Sequence, residues 1–128
     1  MILDSSAIIA VVVQEPGWDS VAAKIGGERA IGVGAPTLAE TGIVLSRKLG
    51  RQGRTVLSRF LQQTNAIVIP FGDEHWRAAL DAYLRFGKGK HPAGLNLGDC
   101  LTYATARLAD QPLLCRGDDF GKTDLTIA

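Results

Sequence analysis

Hydrophobic positions along this chain come in two alternating kinds of run. Short and nearly unbroken ones, Met1-Ile2-Leu3, Ala30-Ile31-Gly32-Val33, Ala66-Ile67-Val68-Ile69 and Pro112-Leu113-Leu114-Cys115, predict buried strands. Longer stretches between them place apolar residues at helical spacing. The run after Asp4-Ser5-Ser6, from Ala7 to Val13, is too long and too Ala-rich to be only more strand, so it predicts a helix. Trp18 to Gly26 predicts a second helix with Val21, Ala22 and Ile25 on one face. A third starts near Pro36, a residue suited to the first helical position, and carries Leu38, Ile43, Val44, Leu45 and Leu49 before Gly50 stops it.

Val56, Leu57, Phe60 and Leu61 mark a fourth helix. Glu74 to Phe86 predicts a fifth, with Trp76, Ala79, Leu80, Tyr83 and Leu84 on its buried side. Asn96 is placed to cap a sixth, in which Leu97, Cys100, Leu101, Ala104 and Leu108 recur at i, i+3, i+4, i+7 and i+11. Gly117-Asp118-Asp119-Phe120 is a turn, and Leu125-Thr126-Ile127 a short edge strand. Strands alternating with helices imply βαβ units, hence a three-layer α/β/α architecture around a central, mainly parallel sheet, one domain over residues 1–128.

Composition narrows the class. A content of 46% hydrophobic and 21% charged residues is that of a globular protein with a real core. The apolar opening is broken by Asp4 and again by Gln14-Glu15-Pro16, short of the roughly 18 to 20 residues a membrane span needs. Neither a basic start nor a small-residue cleavage site precedes it, so the expectation is a cytoplasmic protein with no membrane partner. Cys100 and Cys115 lack CxxC spacing and sit among apolar residues, which predicts two small buried hydrophobes in preference to a disulfide or a zinc site. The net charge of +1 leaves the question of a nucleic-acid partner to how charge is distributed.

That distribution points to chemistry. Asp4 follows the first strand, Glu40 lies near the start of the helix after the second, and Asp118 and Asp119 follow the fourth. Asp99 lies in the first turn of the helix before the fourth strand. Parallel strands put their carboxyl ends on one edge of the sheet, where ligands of open α/β folds gather. Taken singly, each acid has a local explanation as a helix cap, a first-turn acid or a turn residue. Taken together they require crowding, and two carboxylates about 5 Å apart repel by roughly 3 kcal/mol at an effective dielectric near 20. A cation relieves that cost. All-oxygen ligation suits a hard ion such as Mg²⁺ or Mn²⁺, which accepts phosphate oxygens and activates water, so the expected substrate is a phosphodiester or a phosphate.

Ile-Leu-Asp-Ser-Ser-Ala at the start, Pro-Thr-Leu-Ala-Glu ending at Glu40, Leu-Asn-Leu-Gly-Asp-Cys around Asp99 and Leu-Leu-Cys-Arg-Gly-Asp-Asp-Phe near the end resemble the PIN-domain ribonucleases, specifically the VapC-type toxins of bacterial toxin-antitoxin pairs. The resemblance covers nearly the whole chain. It implies a Mg²⁺-dependent endoribonuclease, with Mn²⁺ as a substitute ion, held in check by a cognate antitoxin. Asp4 and Asp99 would be the principal metal ligands, and Glu40 would complete the shell or orient the attacking water. Ser6 would be a supporting hydroxyl. Asp118 and Asp119 both stand where the family has a single fourth acid; Asp119, directly before Phe120, is the better match.

Two basic stretches are candidates for the RNA. Lys88, Lys90 and His91 belong to a Gly-rich loop a few residues before Asp99, and Arg47, Lys48, Arg51 and Arg54 lie at the far end of the Glu40 helix. The loop is the preferred contact. The apolar faces at Trp18–Ile25 and Val56–Leu61 exceed what one core obviously needs, so they are candidates for a homodimer surface or an antitoxin groove as well as for core. Two rival classes remain at this stage. One is a catalytically silent RNA- or protein-binding domain. The other is a receiver-like phosphorylation module, which would want paired acids after the first strand and a Lys at the end of a late one.

Overall fold

Residue alternation in two-residue strands decides which side of the sheet each helix covers. In the computed structural model, which describes residues 1–128, β1 (Ile2–Leu3) and β4 (Leu113–Leu114) lie side by side and parallel. Ile2 and Leu113 face one layer, Leu3 and Leu114 the other, as the period of two requires. Beyond β1 follow β2 (Gly32–Gly34) and β3 (Ile67–Ile69), also parallel, in the order β3-β2-β1-β4. The chain thus steps outward from β1 to β3 and then returns to β1's other side. The strand order reverses between β1 and β4, the point at which an open parallel sheet offers its ligand crevice.

Four helices cover one face: α1 (Ser5–Val12), α2 (Trp18–Gly26), α3 (Ala35–Leu49) and α4 (Gln52–Thr64). Their core joins Leu3, Ile8, Val33 and Leu114 to Val21, Ile25, Leu57 and Phe60. The stripes of α2 and α4 expected to meet a partner are therefore interior; these short helices pack over α1 and α3 and use their apolar residues there. On the other face α5 (Asp73–Phe86) and α6 (Leu97–Ala109) enclose Ala79, Ala82, Phe86, Tyr103 and Ala104 with Ile2 and Leu113. The result is an α/β/α sandwich.

The unsatisfied apolar surface lies on α5. Trp76, Leu80, Tyr83 and Leu84, expected inside, are each more than 40% exposed. Only Ala79, Ala82 and Phe86 of this helix are buried, the two alanines letting α5 lie close to α6, and the remainder of the stripe stays exposed. The C-terminal segment is likewise less regular than expected, contributing a single parallel bridge from Ile127 to Leu113 in place of a strand.

Glycines set how closely layers approach at the sheet's carboxyl edge. A methyl group on Gly34 would stand 2.6 Å from Thr105 Oγ1, so the bare backbone there lets α6 lie against β2 as α3 begins. No helix is long and apolar enough to cross a membrane. Both cysteines are free thiols, Cys100 buried and Cys115 half-buried.

Candidate functional site

Asp4 leaves β1 with extended backbone and caps α1, which turns its carboxylate back over the helix start. Only 5% of the residue is exposed, so the protein has to replace the water its charge has lost. Oδ2 accepts the Ser6 amide at 3.1 Å and the Ser6 hydroxyl at 2.6 Å. Oδ1 accepts the hydroxyl of Thr102, one turn into α6, at 3.0 Å. Since Thr102's single hydroxyl proton is committed to Asp4, Thr37 on α3 must be the donor in the 3.0 Å Thr37–Thr102 bond. The order is Thr37 to Thr102 to Asp4, all three buried. Ser6 Oγ in turn accepts the Arg116 amide at 3.0 Å, tying the carboxylate to the chain leaving β4.

Asp99 opens α6 in a reciprocal cap. Its amide donates to Asn96 Oδ1 at 2.9 Å and its Oδ2 accepts the Asn96 amide at 3.1 Å. Burial pushes its pKa up; the Asn96 hydrogen bond opposes this, while the charges of Asp4, Asp119 and Glu40 push it further up. Three acids from separate stretches of chain therefore act on Asp99 at this edge. Glu40 lies against Gly98, where a methyl group would overlap its Oε2. Asp119 is exposed and sits immediately before a short 3-10 turn, Phe120–Lys122, anchored by buried Phe120. None of these carboxylates forms a salt bridge; the ion pairs of the chain all involve Arg77 or Arg85.

As the side chains stand, no three His, Cys, Asp or Glu groups converge closely enough to hold a metal ion. Asp4 turns to its hydroxyls, Asp99 to its cap and Glu40 to Gly98. The donor set nonetheless fits a hard divalent cation in composition and charge, since every group is a carboxylate and no basic side chain neutralises any of them. Cys115, at the same edge, is no ligand of such an ion: burial and then Asp4 and Asp99 hold its pKa up at about 11, as a neutral thiol.

The basic loop is tied elsewhere. His91 Nδ1 accepts the Ala93 amide at 3.0 Å and its ring stands edge-on to Phe86, with centroids 5.1 Å apart. Lys90 lies over the Tyr83 ring. His91 is thus a staple of the turn after α5. Where a receiver-like module would place its lysine, Arg116 donates to the Pro16 carbonyl at 2.8 Å, away from that role. Thr102, Thr37 and Gly98 escaped sequence reasoning. Thr102 lies three residues beyond Asp99, one of three buried hydroxyl side chains of α6 with Tyr103 and Thr105, and its spacing from Asp99 was the available signal.

With this geometry in place, comparison with known proteins is informative. The family model described as PIN domain matches residues 1–125. Ribonuclease VapC36 of Mycobacterium tuberculosis is 47% identical over 126 residues, covering 98% of this chain and 91% of the relative. The crystal structure of M. tuberculosis VapC20, described as a sarcin-ricin loop cleaving toxin, superposes with a TM-score of 0.82 at 14% identity, covering 99% of this chain and 97% of that one. A chain of a toxin-antitoxin complex from Klebsiella pneumoniae gives 0.73 at 17% identity, covering 99% and 95%.

The raised pKa of Asp99 carries a stability signature. A carboxyl group whose pKa is higher folded than unfolded adds stability below its ordinary value of 3.8, and that contribution is lost as pH rises through the folded value. At pH 7 in EDTA and low salt, Asp99→Asn keeps an acceptor for the Asn96 amide and removes the repulsion. Its melting temperature should exceed wild type by about 2 to 4 °C, with the gain vanishing below pH 4. A variant that melts at or below the wild-type temperature at pH 7 would show that Asp99 acts there only as a cap.

Proposed function

This chain belongs to the PIN-domain family, in its VapC branch, and on that premise we propose that it is the toxin of a toxin-antitoxin pair, a divalent-metal-dependent endoribonuclease acting in the cytoplasm. One observation carries the reading: Asp4, Glu40, Asp99 and Asp119 come from four separate stretches of chain to one sheet edge without a basic partner. The curated relatives, named as ribonucleases along almost their whole length, give the class of reaction.

Asp4 and Asp99 are the principal ligands in this reading, with Asp119 the fourth acid in preference to Asp118. When bound, Mg²⁺ or Mn²⁺ supplies acidification of water and neutralisation of charge on the phosphate. The chain's own residues do the positioning. Ser6, Thr102 and Thr37 fix the plane of the Asp4 carboxylate, and Gly98 leaves room for Glu40 to orient the attacking water. Water adds at phosphorus and gives up a proton by way of Glu40 to solvent, while the P–O ester bond breaks and the leaving oxygen takes a proton from solvent to depart as an alcohol.

Two protein partners complete the proposal. An antitoxin is expected to cover the acidic edge, in keeping with the toxin-antitoxin complex among the structural neighbours. A second copy of the chain is assigned to the α5 face. There Trp76, Leu80, Tyr83 and Leu97 line an apolar hollow of about 390 Å³. Asp73, Arg77, Asp81 and Arg85 alternate in sign along the same helix, a pattern that complements itself across a two-fold axis.

Incubating a mixed RNA pool with the protein should give product with Mg²⁺ and none with EDTA, and Asp4→Asn should lower the rate by at least about 100-fold, the scale of losing a principal catalytic interaction. Metal-independent cleavage, or an Asp4→Asn variant as fast as wild type, would refute the assignment. Light scattering should give twice the chain mass for wild type and one chain mass for Leu80→Asp. A wild-type monomer at micromolar concentration would remove the dimer.

A further inference from the structure

Two hollows run away from Glu40 along α3. The first, about 430 Å³, is lined by Glu40, Ile43, Arg47, Leu97 and Gly98 among others. The second, about 510 Å³, shares Ile43 and Arg47 with it and continues to Arg54 on α4. They meet at Ile43 and Arg47 on the solvent side of α3, the first opening toward α6 and the second toward α4, so a surface runs over that helix from the acidic edge to Arg54. Glu40 and Arg47 are seven residues apart, two helical turns, so they share one face of α3 about 10 Å apart along its axis.

This surface has two kinds of group. Ile43, 56% exposed where the two hollows meet, supplies apolar surface. Past Glu40 the only charges lining it are Arg47 and Arg54, neither of which is in an ion pair. Lys48 and Arg51 add to the same corner, exposed and also outside the ion pairs.

We propose that this surface is the path of the single-stranded RNA on one side of the scissile phosphate, with Arg47 and Arg54 contacting backbone phosphates and Ile43 receiving a base face. The inference rests on the nuclease reading and adds where the substrate lies. A strand whose phosphate sits at Asp4 and Asp99 has to leave over an adjoining surface, and this one is continuous with Glu40. It offers positive charge to a polyanion and apolar surface to unstacked bases. Of the two basic stretches in the sequence, the α3–α4 corner is the one that shares a hollow with a site acid. The loop from Lys88 to His91 is instead bound into the turn after α5.

The test uses a fluorescein-labelled single-stranded RNA 12-mer of mixed sequence, bound in EDTA at several salt concentrations and cleaved with Mg²⁺. Each phosphate contact to single-stranded nucleic acid contributes about 0.7 to the slope of log K against log salt, so Arg47→Gln/Arg54→Gln should flatten the slope by about 1.4. Between 50 and 200 mM salt, wild type should then lose about sevenfold more affinity than the double variant. KM at 150 mM salt should rise while kcat stays within about twofold. The matched control Arg29→Gln/Arg107→Gln, at the opposite edge of the sheet, should leave slope and KM unchanged.

A double variant that cleaves with wild-type slope and KM would overturn the RNA path while leaving the nuclease reading intact. So would one that handles RNA normally but no longer co-elutes with the cognate antitoxin, since the surface would then belong to that partner. Absence of any RNA cleavage by wild type would overturn both readings together.

Discussion

The structure turns on a buried carboxylate with no cation beside it. Asp4 is held by hydrogen bonds alone, and their donors reach it from different elements: Ser6 from α1 and Thr102 from α6, with Thr37 of α3 behind Thr102. Ser6 extends the network to the chain leaving β4. A charge withdrawn this far from water is tolerated only if its acceptor positions are filled, so the packing of α3, α6 and β4 at the sheet's carboxyl edge is coupled to one side chain. The same bonds give that side chain a single orientation. Stability and positioning are one requirement here.

The other acids add to this centre without being neutralised. Asp99, half-buried, feels Asp4, Asp119 and Glu40, and its hydrogen bond to Asn96 only partly offsets them. Repulsion of this kind costs stability in the metal-free chain. A divalent cation reverses the sign of the interaction, since each pairwise repulsion is then outweighed by attraction to a shared ion. The topology makes the gathering possible. Because the strand order reverses between β1 and β4, the exits of these two strands flank an open crevice, and the starts of α3 and α6 close over it.

Much of this was legible in the sequence. Apolar runs alternating between strand length and helix length identified the α/β/α class and placed Asp4, Glu40, Asp99 and Asp119 at one edge. The hydroxyl network escaped because Thr37 and Thr102 are 65 residues apart and meet only when α3 and α6 pack. Gly98 escaped because its role is space for another residue's side chain, which no local pattern records. The surface of α5 was misjudged for a related reason. Helical periodicity reveals an apolar stripe but not its coverage, and α5 has one neighbouring helix where α3 has several. Conversely, the stripes of α2 and α4 looked surplus until the second tier over α1 and α3 absorbed them. The surface toward Arg47 was within reach of the seven-residue spacing from Glu40, yet sequence proximity to Asp99 favoured the Lys88–His91 loop, which folds back on Phe86.

That the uncompensated acids form a hard-cation site is the claim on which the functional account depends, and ion binding itself addresses it without any substrate. Mn²⁺ titrated into the full chain at low salt can be followed by the electron paramagnetic resonance signal of the free ion. The account predicts saturable loss of that signal with wild type, and affinity weakened by about tenfold or more in Asp4→Asn and in Asp99→Asn, at least the effect of losing a group that merely supports a ligand. Wild type that leaves the free-ion signal unchanged, or an Asp4→Asn/Asp99→Asn double variant that quenches it equally, would contradict the account.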